Sequence, residues 1–139
     1  MFSIGQLSKR TGVKVPTIRY YEDVGLVTAA GRTSGNQRRY GQPELEQLGF
    51  IKHARDLGFS IDAISSLIDL QSHPDRTCQD ATDIARVQLA DVRDKIRQLV
   101  ALETELQRLA DGCDGDGIAG ECYVLAALGD HQLCDADHD

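Results

Sequence analysis

The sequence predicts a mainly α-helical protein. Its parts are a winged helix-turn-helix head, two linker helices, one long helix that pairs antiparallel with a second copy, and a C-terminal loop built to bind metal. Three observations predict this. The stretch from Gln79 to Asp111 has neither Gly nor Pro and repeats apolar residues at near-heptad spacing. Two short helical segments near the N-terminus meet at a glycine-bearing turn, Thr11-Gly12-Val13. Cysteines bracket the long stretch, with Cys78 before it and Cys113 and Cys122 after it.

The first helix opens on Ser3-Ile4-Gly5-Gln6, a capping box with Ser at the N-cap and Gln three residues on. Ile4 and Leu7 give it an apolar face, and it stops near Gly12. Pro16 suits the first turn of a second helix that runs to Val24 and closes at Gly25. Ile18, Tyr21 and Val24 recur every third residue and face the core in this reading. Thr17, Arg19 and Tyr20 are left outside, where a recognition helix presents side chains to a major groove.

Thr33-Ser34-Gly35-Asn36 is turn chemistry, with Arg32 before it and Gln37-Arg38-Arg39-Tyr40 after it. This predicts a two-stranded wing flanked by guanidiniums, which suit phosphate oxygens and fix register without reading bases. The three arginines have no acidic neighbour in sequence from residue 24 to 43. Pro43 then opens a helix to about Leu57, Gly58 ends it, and Ser60 caps another from Ile61 to Leu70. These two helices link the head to the long one. His53 lies far in sequence from the thiols and reads as a surface histidine.

Along the long helix the apolar seam is Ala85, Leu89, Val92, Ile96, Leu99, Leu102, Leu106 and Leu109, with one three-residue stammer near Leu99–Leu102. At 1.5 Å per residue the helix spans about 46 Å, so Cys78 and Cys113 of one chain cannot meet on one ion. Antiparallel pairing brings the start of one helix beside the end of the other. Cys78 of one chain then approaches Cys113 and Cys122 of its partner, giving two symmetric three-thiolate sites in a homodimer. The bland alternative is a solvated helix with scattered thiols.

Cys113 and Cys122 flank an eight-residue Gly- and Asp-rich loop, and Tyr123 to Leu128 is apolar enough for a short covering helix. His131 and Cys134 are candidate additional ligands, whereas Asp135 to Asp139 reads as a solubilising tail. The expected organisation is a head with linker helices over 1–70, a hinge and dimerisation helix over 71–112, and the metal loop, short helix and acidic tail over 113–139.

Composition narrows the function. Net charge is −7, yet residues 1–56 hold nine basic against five acidic residues, and the remainder six against seventeen. A basic head on an acidic body suggests a polyanion partner for the head alone. No apolar run reaches membrane-spanning length and no signal-peptide pattern opens the chain, so the expectation is a cytoplasmic protein. Four cysteines in a reducing compartment argue for metal or redox chemistry over structural disulfides. The absence of Trp disfavours a base-stacking platform for single strands. The histidines are scattered and no phosphate-cradling loop follows a strand, so the chain does not read as an enzyme.

Thr17-Ile18-Arg19-Tyr20-Tyr21-Glu22, Gly25-Leu26-Val27, Arg38-Arg39-Tyr40 and His53-Ala54-Arg55-Asp56-Leu57-Gly58-Phe59-Ser60 together resemble the MerR family of metal-responsive transcriptional regulators, from residue 1 to about 128. The resemblance implies DNA contacts by Thr17, Arg19 and Tyr20 on the second helix and by Arg32, Arg39 and Tyr40 on the wing. It also implies an antiparallel coiled-coil dimer acting with RNA polymerase at promoter DNA. Such a dimer represses without metal and activates an efflux or detoxification promoter by distorting the DNA when metal binds. A cysteine at position 78 goes, by the same resemblance, with divalent soft ions (Zn, Cd or Pb, with Hg possible) held by Cys78, Cys113 and Cys122. Asp114 and the lack of a loop histidine depart from the zinc-sensor pattern and argue against a dinuclear site. The alternatives are a thiol redox switch through Cys113 and Cys122, or a Hg(II) or Cu(I) sensor on the same scaffold. An iron–sulfur cluster is disfavoured because the cysteine spacing is too open.

Overall fold

The structure, a computed structural model, describes residues 1–112, 115 and 117–129. In order it comprises α1 (Ile4–Thr11), α2 (Val15–Asp23), β1 (Gly31–Arg32), β2 (Arg38–Arg39), α3 (Gln42–Asp56), α4 (Ile61–Gln71), α5 (Gln79–Asp111), a short 3-10 turn and α6 (Tyr123–Gly129). Two compact units result, Met1–Ile84 and Ala85–Asp139. Among the described residues no helix is long and apolar enough to cross a membrane.

The head follows from local signals first. Ser3 Oγ accepts from the Gln6 backbone N–H at 3.2 Å and Gln6 Oε1 accepts from the Ser3 N–H at 2.9 Å, so the capping box is formed. Gly12 ends α1 at φ 77°, a left-handed conformation that a side chain there would strain. Thr11 Oγ1 then accepts from the Val13 N–H at 3.2 Å and shapes the turn into α2. Pro16 sits in the first turn of α2 and removes a donor that would have had no partner.

Tertiary burial holds these pieces. Leu7, Ile18, Tyr40, Leu48, Ile51 and Ile64 are fully buried, and Val13, Tyr21, Leu26 and Val27 close the same core. Full burial of such apolar side chains stabilises by about 1.5–3 kcal/mol each. Ile18 and Tyr21 thus take the core face that the sequence predicts for α2. Val24 does not: it is 43% exposed, because the helix ends at Asp23 and the chain departs from the helical spacing there.

The wing is a two-stranded antiparallel ribbon pairing Gly31 with Arg39 and Arg32 with Arg38. Asn36 turns the tip at φ 65°, a conformation asparagine tolerates better than most residues. The N-terminus adds a further rung, with Phe2 and Tyr40 exchanging backbone hydrogen bonds of 2.6 and 2.8 Å. Tyr40 corrects the sequence reading, which placed it on the DNA-facing surface. Its side chain is fully buried and its hydroxyl donates to Glu22 of α2.

Burial, then the hydrogen bond to Glu22, pushes the Tyr40 phenol above its ordinary value of 10.0. The folded head therefore holds this proton more tightly than the unfolded chain. The contribution is complete below pH 10.0 and is lost as pH rises past that value towards the folded one. Tyr40→Phe should flatten this alkaline loss. It should also cost about 1–3 kcal/mol at neutral pH by leaving Glu22 Oε1 without the donor it has in the fold, as read by urea unfolding.

Candidate nucleic-acid interface and metal centre

Two faces of the head converge beside the wing. Capping by Pro16 and burial of Ile18 and Tyr21 fix the rotation of α2, which leaves Arg19 exposed and Tyr20 48% exposed, with Thr17 half-buried. Arg32 is exposed on β1, where its Nη1 donates to Asn36 Oδ1 at 3.2 Å and so ties it to the wing tip. A cleft of about 420 Å³ is lined by Arg19, Arg32 and Arg38, with Ser3, Asn36 and Gln37. Three guanidiniums around one open cleft provide planar, always-charged donors matched to phosphate oxygens.

Arg38 and Glu22 are what sequence reasoning missed. Arg38 Nε stands 3.4 Å from Glu22 Oε2, and the other oxygen of that carboxylate takes the Tyr40 hydroxyl. The arginines therefore do have an acidic neighbour, brought from α2 by the fold. Glu22, with its side chain 11% exposed, joins the end of α2 to the second wing strand. The signal was present as an acid directly after Tyr20-Tyr21, but its partner lies sixteen residues on and no local pattern connects them. Arg39 is half-buried on β2.

The proposed metal ligands are only partly described. Cys78 is exposed, one residue before α5, and Cys122 is half-buried, one residue before α6. Cys113, His131 and Cys134 lie outside the described residues. Among the described residues no three His, Cys, Asp or Glu side chains gather to hold an ion. As donors, thiol groups suit a soft ion.

Cys122 has a built support. Glu105, 3% exposed, accepts from Arg108 Nη2 at 2.8 and 2.7 Å, and Arg108 Nη1 donates to the Tyr123 hydroxyl. The Tyr123 ring packs so tightly on Gly112 that a Cβ there would collide with it. Leu109 of α5 and Ala127 of α6 are buried as well. The residue after Cys122 is thus clamped by the last turns of α5. Sequence reasoning missed this clamp because a buried Glu on an amphipathic helix looks like any other charged position.

Known proteins share this architecture. Family models described as "MerR HTH family regulatory protein" and "MerR, DNA binding" match residues 2–71 and 45–109. The HTH-type transcriptional regulator ZntR of Escherichia coli K12 is 38% identical over 130 residues, covering 92% of each chain. Heavy metal-dependent transcription regulator 2 of Rhizobium meliloti is 38% identical over 126 residues, covering 91% of this chain and 85% of its own. Among solved structures, PbrR691 of Ralstonia metallidurans CH34 in complex with lead(II) superposes at a TM-score of 0.77 with 35% identity, covering 92% of this chain and 99% of that one.

Proposed function

Because the chain belongs to the MerR family of helix-turn-helix regulatory proteins, which are DNA-binding transcription regulators and not enzymes, we propose that it switches a promoter in response to a soft divalent metal ion. The observation that carries the DNA half is the cleft lined by Arg19, Arg32 and Arg38 beside an exposed Tyr20. Its guanidiniums would hold phosphates while Thr17, Arg19 and Tyr20 reach into the groove, and Arg39 flanks them on the wing. Glu22 would aim Arg38 rather than contact DNA itself.

The metal half draws on its relatives, one heavy metal-dependent by name and one solved with lead(II). In this chain Cys78 and Cys122, with Cys113, are the thiolates that would hold Zn, Cd or Pb across a homodimer. The bound ion supplies a link between the two chains. Support for the dimer is the apolar stripe of α5, where Leu89, Val92, Ile96, Leu99, Leu102 and Leu106 are 37–64% exposed in the single chain. For metal to activate, the DNA-distorting conformation must hold the ion more tightly than the repressing one, and that differential sets the population shift. Bending and untwisting a promoter costs a few kcal/mol, about what a differential of a few hundredfold supplies. RNA polymerase would read the altered spacing.

Binding to promoter DNA across a salt series tests the interface. Arg38→Ala and Arg19→Ala should each weaken binding to all sequences and lower the salt slope by about one, since each phosphate contact releases counterions. Arg39→Ala should do the same if its guanidinium also reaches a phosphate. Unchanged affinity and slope in Arg38→Ala would sink the cleft assignment. Metal-dependent induction of a reporter from its own promoter tests the other half.

A further inference from the structure

We infer that Arg108 and Tyr123 are positioning residues for metal sensing: through them α5 fixes Cys122 in place before any ion arrives, so that its thiol is a preset ligand. This rests on the proposal that Cys122 binds metal. All the residues involved belong to the Ala85–Asp139 unit.

The chain is anchored on both sides of the thiol. The Cys122 N–H donates to the Ala119 carbonyl at 3.2 Å, and the Cys122 carbonyl accepts from the Ala126 N–H at 3.1 Å. These bonds tie it to the 3-10 turn before it and to α6 after it. With the backbone so held, the sulfur has only the staggered positions of one side-chain torsion to choose from. What places α6 itself is Tyr123, the first residue of that helix. Its hydroxyl accepts from Arg108 Nη1, its ring centroid stands 6.0 Å from the Arg108 guanidinium carbon, and its ring covers Gly112, where a Cβ would collide with it.

The arrangement of charge points to aim rather than stability. Glu105 is 3% exposed and takes Arg108 Nη2 on both carboxylate oxygens, at 2.8 and 2.7 Å. A buried ion pair adds little net stability, because desolvation of the two charges offsets their attraction, and apolar side chains of similar volume often serve as well or better. A planar guanidinium held on one nitrogen does offer something that an apolar contact cannot: its other nitrogen has a fixed direction. Here that direction leads to the Tyr123 hydroxyl, fifteen residues on. A ligand ordered in advance spares the binding step the entropy of ordering it, so the benefit appears as metal affinity. Thiolate–metal bonds are about 2.3 Å long, which leaves a misplaced sulfur little room to adapt.

The test uses the full chain, 15N-labelled and metal-free, and reads backbone order parameters by relaxation. The Cys122 amide should be as ordered as the last turn of α5, roughly 0.85. In Tyr123→Phe, which keeps the ring and loses the hydroxyl, it should fall well below that while α5 stays rigid. The same variant should bind Cd(II), measured by chelator competition, roughly three- to tenfold more weakly. Glu105→Leu with Arg108→Leu removes the pair together and leaves the position apolar. It should match Tyr123→Phe on both readings, and adding Tyr123→Phe to it should cost nothing more, since both remove one contact. A clamp that only stabilises the fold would lower the unfolding midpoint and leave the Cys122 order parameter and Cd(II) affinity at wild-type values. That result would overturn the inference and leave the sensor reading standing. A Cys122 amide already mobile in the wild type would overturn it as well. Cd(II) binding that is absent, or indifferent to Cys122→Ser, would bring down both.

Discussion

Mixing a Cys78→Ser chain with a Cys113→Ser chain should restore about half of the wild-type metal content in the heterodimer, although neither parent homodimer binds an ion, because a two-fold dimer has two equivalent sites. The heterodimer takes Cys78 from the second chain and Cys113 with Cys122 from the first, which completes one site. Its other site lacks two thiolates. The effect is all-or-none per site because a divalent ion on two thiolates is under-coordinated and competes poorly with water. Metal content by mass spectrometry of the tagged heterodimer gives the answer. No recovery would mean that each chain builds its own site.

What the sequence disclosed and what it hid divide along the range of the interactions. Ser3 with Gln6, Gly12 after α1, Pro16 in α2 and Ser60 before α4 act within a turn of the helix they bound. Each was readable from two or three neighbouring residues. α5 was readable for a different reason, since the absence of breakers over Gln79–Asp111 leaves little alternative to helix. Tyr40 was misjudged because its neighbours Arg38 and Arg39 suggested a surface, whereas its environment is set by Phe2, Glu22 and the core. Glu22 was passed over for the same reason. Of the candidate centre, the separate thiols were plain in the sequence. The clamp beside Cys122 was not, because it joins Glu105 and Arg108 of α5 to Tyr123, well beyond one helical turn.

These long-range contacts also indicate how the head stays rigid enough to act on DNA. Glu22 fixes the end of α2 to β2, and Phe2 fixes β2 to the N-terminus beside α1. α2 and the wing are therefore held to one another through Glu22, and the wing to the N-terminus through Phe2. Glu22→Gln keeps an acceptor for Tyr40 while removing the charge that draws Arg38.

Ile96→Glu should dissociate the dimer, raising its dissociation constant by a thousandfold or more, a change of about 4 kcal/mol. Ile96 lies near the middle of α5, and if Cys78 faces the partner's end the two-fold axis passes close to it. In that register each new carboxylate meets its own copy. Two apolar contacts, worth about 1.5–3 kcal/mol apiece when buried, are lost at once, and like charges are brought together in their place. Ile96→Leu keeps the apolar volume and should leave association nearly intact. Arg93→Ala, off the stripe, should do the same. Sedimentation equilibrium measures the dissociation constant, and metal content should fall in step with it because the proposed site needs two chains. The core of Met1–Ile84 does not include Ile96, so the head should remain folded. A variant that stays dimeric at wild-type concentrations would show that the exposed stripe of α5 is not the seam.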